Sequence, residues 1–128
     1  MKLVAQRGVG DCGVAALATL LGLSYEDVYT EMAKRDVRRG KSGTTFRHLI
    51  RIAARFGVVL RLRLKMDLDE SEGILAVEWL TTGHPTTQHV VILFHGLIID
   101  PADGEFLDAD EYLAKNQARA VSMLEVSK

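Results

Sequence analysis

The sequence predicts an α+β fold in which helices come first and a mostly antiparallel sheet follows. Apolar residues recur at helical spacing in the first half of the chain, whereas in the second half they alternate or form short runs typical of strands. The turn-forming segments TTGHPTTQ (81–88) and PADG (101–104) separate those runs. Helices that precede strands, rather than alternating with them, favour this class over a parallel α/β fold.

The composition is that of one globular domain, and we assign residues 1–128 to it as a whole. A net charge of −1 argues against general attraction to nucleic acid or anionic membranes. The sequence contains no apolar run of the roughly 18 residues that a membrane span requires. Its single cysteine permits neither an intramolecular disulfide nor a multi-cysteine zinc site. We therefore expect a cytoplasmic protein with a free thiol and no cofactor.

The first predicted helix runs from Cys12 to Leu21. Asp11 is suited to be its N-cap, and Gly22 is suited to end it. The helix is apolar on almost every side, so we expect it to be buried centrally.

Two further helices are predicted before the sheet. One begins at Ser24, and the other begins at Thr44 or Thr45 and ends at Gly57. Between them, the basic segment 34–43 reads as a loop, either simply solvated or a contact surface for an acidic substrate or partner.

Strands are predicted in the second half at 58–64 and 74–80, in a hairpin over 89–100, and at 118–126. In the first of these, Leu60, Leu62 and Leu64 alternate with arginines, which predicts a half-buried strand. A short helix near Asp108 should precede the last strand.

The single cysteine is the first candidate functional residue. Cys12 occupies the start of a helix, where free N–H groups and the helix dipole favour a thiolate. Gly10 and Gly13 leave the approach to its sulfur sterically open. A nucleophilic thiolate also needs a base, a group that orients the base, and donors for an oxyanion.

His89, Asp100 and Gln6 are the candidates for those three roles. If the hairpin turns tightly about His95 and Gly96, His89 becomes the diagonal neighbour of Asp100 on one sheet face. We expect this face to be turned toward the N-terminus of the Cys12 helix. A three-residue loop would separate the pair, and His84 is the alternative base if His89 points away.

These residues carry a resemblance to a known family. Gln6, DCG (11–13), HVVIL (89–93), DPADG (100–104) and the stretch GTTFRHLIRIAARFG (43–57) together resemble the bacteriocin-processing peptidases. Those are papain-like cysteine proteases that cleave after a double-glycine leader, often as the N-terminal domain of an ABC exporter. The His-to-Asp interval is shorter here, which implies a trimmed hairpin.

The resemblance implies a papain-like fold and assigns four roles: Cys12 the nucleophile, His89 the base, Asp100 the orienting acid and Gln6 the oxyanion donor. It implies a peptide or protein substrate, and it suggests association with a transporter as a further expectation. The same thiol chemistry also serves isopeptide cleavage, deamidation or transamidation. A non-catalytic binding module on this fold, with Cys12 as a small buried hydrophobe, is the remaining alternative.

Overall fold

In the described part of the protein, a computed structural model shows three helices at the start of the chain, a six-stranded sheet after them, and a fourth helix before the last strand. The structure describes residue 4 and residues 12–34, 46–79, 88–102 and 104–127. Predictions that lie outside these residues concern Gln6, Asp11, most of the basic loop, Thr44, Thr45 and His84. The backbone of Cys12 is described, but its side chain is not.

The helices are α1 (Cys12–Leu21), α2 (Tyr25–Lys34), α3 (Phe46–Arg55) and α4 (Ala109–Lys115). The first begins and ends as predicted, with Gly22 at a φ of 71° in the left-handed region that favours glycine. Ser24 accepts a hydrogen bond from the Asp27 N–H at 3.1 Å, which confirms its place at the start of α2. Within the described part of the chain, no helix combines the length and apolar character needed to cross a membrane.

The sheet is antiparallel throughout, and its strands lie in the order β1-β6-β2-β3-β4-β5. The strands are β1 (Leu60–Arg63), β2 (Glu72–Trp79), β3 (Gln88–Phe94), β4 (Leu97–Asp100), β5 (Glu105–Asp108) and β6 (Ala118–Val126). The predicted hairpin and last strand are confirmed. The short strand β5, which pairs with β4, was not predicted.

The sheet separates two apolar clusters. On one face, Ile74, Ile92 and Leu124 pack with buried residues of α1, α2 and α3. On the other face, Leu75, Val91, Met123 and further strand residues pack with α4. Successive residues of β2 and β3 therefore contribute to opposite clusters, which assigns each of their side chains to a face.

The prediction that strand 58–64 is half-buried was wrong beyond Leu60. Leu60 is buried, whereas Leu62 and Leu64 are 53% and 73% exposed. The reason lies in the position of β1, which is an edge strand paired with β6 on one side. Leu64 also lies past the end of the strand, so alternation of residue types did not bring burial with it.

Candidate active site

The β3–β4 hairpin brings His89 and Asp100 together. The two strands pair with Phe94 opposite Leu97 and Ile92 opposite Ile99, which leaves a two-residue turn of His95 and Gly96. Both turn residues have positive φ, 47° and 88°, as the tight type I′ turn requires. Continued by one step, this register sets Val91 against Asp100 and makes His89 its diagonal neighbour, as the sequence predicted.

The side chains of this pair form a direct contact. Nε2 of His89 lies 2.9 Å from Oδ1 of Asp100, and the two side chains are 12% and 7% exposed. A hydrogen bond in this shielded position is strong because water competes for it weakly. Since Nε2 is directed at the carboxylate, Nδ1 is the ring nitrogen that points away from Asp100.

Two further groups hold the Asp100 carboxylate. The backbone N–H of Ala102 donates to Oδ1 at 2.9 Å, and the hydroxyl of Tyr112 donates to Oδ2 at 2.6 Å. Tyr112 was missed by the sequence analysis, which placed a short helix at this point without examining its tyrosine. A tyrosine on the inner side of that helix was a usable signal, because a buried phenol requires a hydrogen-bond partner.

The environment of Asp100 favours the ionised carboxylate. Burial by itself would raise the pKa of Asp100, but the hydrogen bond with His89 opposes it, as do the bond from Tyr112, the charge of His89 and the Ala102 N–H. Together these contacts hold the pKa of Asp100 below its usual value of 3.8. The site therefore contains a buried carboxylate that stays charged beside an imidazole.

Trp79 packs against the histidine. The indole and imidazole rings are stacked, with centroids 6.0 Å apart and planes at 19°. Trp79 ends β2, and Val77 of the same strand pairs directly with His89. The ring of His89 is thus held by stacking on one neighbour and by a hydrogen bond to another.

His89 and Asp100 share one face of the sheet, as predicted; that this face is turned toward the N-terminus of α1 stays a prediction, because the Cys12 side chain lies outside the described residues. Val77 and Val91, which flank His89 on its own face, belong to the cluster packed against α4. Helix α1 packs on the opposite face. Strict alternation of side chains along β3 causes this, since Val90 and not His89 is directed at the α1 cluster. His89 is nevertheless the second residue of β3, so it lies at an end of the sheet.

The structure places Cys12 at the first residue of α1, the position where the helix dipole and free N–H groups favour a thiolate. Val4 donates its N–H to Oγ1 of Thr19 at 2.8 Å, which attaches Val4 to α1. The positions of Gln6, His84 and the Cys12 sulfur lie outside the described residues.

Other polar groups of the described residues lie elsewhere. A cavity of about 620 Å³ lies at the turn end of the hairpin, where His95, Gly96, Asp69 and the start of α4 line it, and neither His89 nor Asp100 contributes to it. Within the described ranges, histidine, cysteine and carboxylate side chains form no cluster of three that could hold a metal. We therefore assign the chemistry to the buried pair and not to the cavity.

Comparison with known proteins also indicates a peptidase. A model of the Peptidase C39 family matches residues 1–121, which confirms the resemblance noted from the sequence. No curated protein matches the chain significantly.

Among solved structures, the peptidase domain of Streptococcus mutans ComA with a small-molecule inhibitor is 18% identical, with a TM-score of 0.62 and full coverage of both chains. The peptidase domain of Streptococcus ComA, a bi-functional ABC transporter involved in quorum sensing, is 20% identical over 98% of each chain, with a TM-score of 0.58. A double glycine motif protease from an AMS/PCAT transporter, in complex with the leader peptide, is 18% identical over 98% of this chain and 91% of its own, with a TM-score of 0.57. These similarities show a shared fold, which confirms the papain-like α+β class.

Proposed function

The chain belongs to the peptidase C39 family, and we propose that it is a cysteine peptidase that cleaves after a leader of the double-glycine type. The observation that carries the proposal is the buried contact of 2.9 Å between His89 and Asp100. A thiol peptidase needs an oriented imidazole, and this contact orients the imidazole of His89, the histidine that the sequence analysis predicted as the base. The substrate class rests on the family and on the double glycine motif protease of similar fold that was solved with a leader peptide.

The proposed reaction begins at Cys12. Its thiolate attacks the carbonyl carbon of the scissile bond, so a C–S bond forms and the carbonyl oxygen becomes an oxyanion. When this intermediate collapses, the C–N bond breaks and the leaving amine takes a proton from His89. Water then attacks the thioester, His89 accepts the water's proton, and the C–S bond breaks to return the Cys12 thiolate beside protonated His89 and to release the carboxylic acid.

The orientation of His89 assigns its two nitrogens. Because Nε2 is bonded to Asp100, proton exchange with the thiol and the leaving amine is assigned to Nδ1. Asp100 keeps the ring in that orientation and stabilises the imidazolium that forms when the thiol ionises. Gln6 and the backbone N–H of Cys12 are the proposed donors to the oxyanion.

The route from Cys12 to His89 passes around the end of the sheet in this proposal. Helix α1 packs on the face opposite to His89, but Cys12 is the first residue of the helix and His89 is close to the end of its strand. The proposal requires the Cys12 thiol, at the N-terminus of α1, to reach Nδ1 of His89. His84 remains the alternative base if this approach does not occur.

A cytoplasmic role at an ABC transporter is the proposed setting. The similar structure from Streptococcus ComA is the peptidase domain of a bi-functional ABC transporter. By analogy, we propose that this domain processes a leader-bearing peptide destined for export.

The direct test is cleavage of synthetic peptides that carry Gly-Gly before the scissile bond, with mass spectrometry as the readout. We expect two fragments from the wild type, none from Cys12→Ala, and a normal rate from His95→Asn, which changes a histidine in the exposed turn and keeps a residue that tolerates positive φ. A gain of one mass unit without chain cleavage would identify a deamidase instead. Cleavage by Cys12→Ala at the wild-type rate would overturn the peptidase proposal.

A further inference from the structure

We propose that Tyr112 is a positioning residue of this site, whose hydroxyl holds the Asp100 carboxylate in the orientation that serves His89. The inference rests on the proposed function, because it concerns the residue that orients the base.

The geometry of the carboxylate gives Tyr112 a distinct role. Oδ1 accepts hydrogen bonds from His89 and from the Ala102 N–H, both at 2.9 Å, while Oδ2 accepts the bond from Tyr112 at 2.6 Å. The first two bonds meet at Oδ1, and the Tyr112 hydroxyl restrains the second oxygen of the carboxylate, so it adds to the resistance against rotation about the Cβ–Cγ bond. A short O–H···O⁻ bond at that oxygen is of the strong, charge-assisted kind.

Helix α4 is built to hold the phenol in place. The ring of Tyr112 is fully buried among residues of β2, β3 and β6. The N–H of Ala109, at the start of the helix, donates to the carbonyl of Gly96 at 2.8 Å, which ties α4 to the turn of the hairpin that carries His89 and Asp100. At its other end, the side chain of Asn116 donates to the carbonyl of Tyr112 at 3.0 Å.

Loss of the hydroxyl would have two consequences for His89. The carboxylate could turn away from Nε2, and a buried Oδ2 without its donor would favour the protonated acid. The titratable side chains that lower the pKa of Asp100 are His89, from β3, and Tyr112, from α4. Removal of one of them leaves a weaker acceptor for the imidazolium that the reaction requires.

Tyr112→Phe tests the proposal because it keeps the buried ring and removes only the hydroxyl. We expect kcat to fall about tenfold and KM to change less than about twofold. The variant loses a charge-assisted hydrogen bond within the site but no contact with the substrate. The acid limb of the pH–rate profile should move to higher pH. Tyr29→Phe, at an exposed tyrosine on α2, is the matched control and should leave kcat, KM and the pH–rate profile unchanged.

A purely structural role would give another result. In that case Tyr112→Phe lowers the melting temperature while kcat and the pH profile stay those of the wild type, and this outcome would overturn the proposal. If the phenylalanine variant does not fold, 3-fluorotyrosine at position 112 keeps the ring and supplies a more acidic donor. The acid limb should then move to lower pH, and an unchanged limb would count equally against the proposal.

A double-mutant cycle with Asp100→Asn shows whether Tyr112 acts through Asp100. We expect Tyr112→Phe to have little further effect on kcat in that background, because the acceptor it restrains has already been changed. If Tyr112→Phe lowers kcat equally in the wild type and in Asp100→Asn, Tyr112 does not act through Asp100.

Carboxyl ¹³C NMR of Asp100 in the substrate-free protein separates this inference from the proposed function. Its titration should shift to higher pH in Tyr112→Phe even if no peptide is ever cleaved. A titration that does not move, in a protein whose activity requires Cys12, would defeat the role of Tyr112 and leave the peptidase intact.

Discussion

His89 and Asp100 lie 11 positions apart, on the two strands of one hairpin, and their side chains meet at 2.9 Å in a shielded part of the protein. The contact depends on the two-residue turn at His95 and Gly96, because a change of register by one residue would turn one partner to the other face. Turn chemistry at one end of the hairpin thus determines the site at its other end.

Asp100→Asn should change the pH dependence of stability. The folded-state pKa of Asp100 is lowered, so its ionised form stabilises the fold above its ordinary value of 3.8, and this contribution is lost as the pH falls through the folded-state pKa. Melting temperatures measured from pH 7 to pH 2 should therefore fall less steeply in the variant. Equal slopes for both proteins would show that Asp100 is not stabilised by its contacts.

The same variant should lose activity. A hydrogen bond to a charged group contributes about 1.5–3 kcal/mol, which corresponds to a fall of about tenfold or more in kcat. The loss should appear in kcat and not in KM, because Asp100 is buried and acts through His89. A variant with wild-type kcat would remove Asp100 from the proposed mechanism.

His89→Ala should slow the alkylation of Cys12 by iodoacetamide at neutral pH. Without an imidazole to stabilise the thiolate, the alkylation rate should increase only as the pH approaches about 8.5, the pKa of a free cysteine. His95→Asn serves as the histidine control, and His84→Ala tests the alternative base. If His84→Ala has the larger effect and His89→Ala none, the base is assigned to His84.

The fluorescence of Trp79 should report the protonation of His89. The chain contains one tryptophan, and its ring is stacked on His89 with centroids 6.0 Å apart. Because protonated imidazole quenches indole emission, intensity should change over the pH range in which a histidine titrates. The change should disappear in His89→Ala, and its persistence there would show that the two rings are not in contact in solution.

Gly73→Ala should destabilise the sheet strongly. A Cβ at this position would overlap the backbone oxygen of Leu124, so β2 and β6 would have to separate. We expect a cost of about 3 kcal/mol or more, at the upper end for overpacking, measured by urea unfolding. Glu72→Ala, the partly exposed neighbour in β2, is the control and should cost much less. Similar values for both would contradict the close approach of the strands.

Local patterns in the sequence were sufficient for α1 and for the hairpin. The limits of α1 follow from an apolar run that ends at Gly22, and the hairpin follows from two strand-like runs around His95 and Gly96. In both cases residues close together in the chain decide the conformation, through glycine's access to positive φ and through the period of a strand. The pairing of His89 with Asp100 was predictable for the same reason.

Tertiary structure decided what lies against these elements. Alternation in 58–64 reads alike for an edge strand and a central strand, so the exposure of Leu62 and Leu64 depended on where the sheet ends. Alternation likewise gives two faces without saying which of them α1 covers, so the packing of the elements decides that His89 lies among the residues that face α4. The contact between Tyr112 and Asp100 joins α4 to the end of β4 across a turn and a strand. Such contacts arise only when separate elements pack, because no local preference of the chain specifies which buried donor meets which buried acceptor.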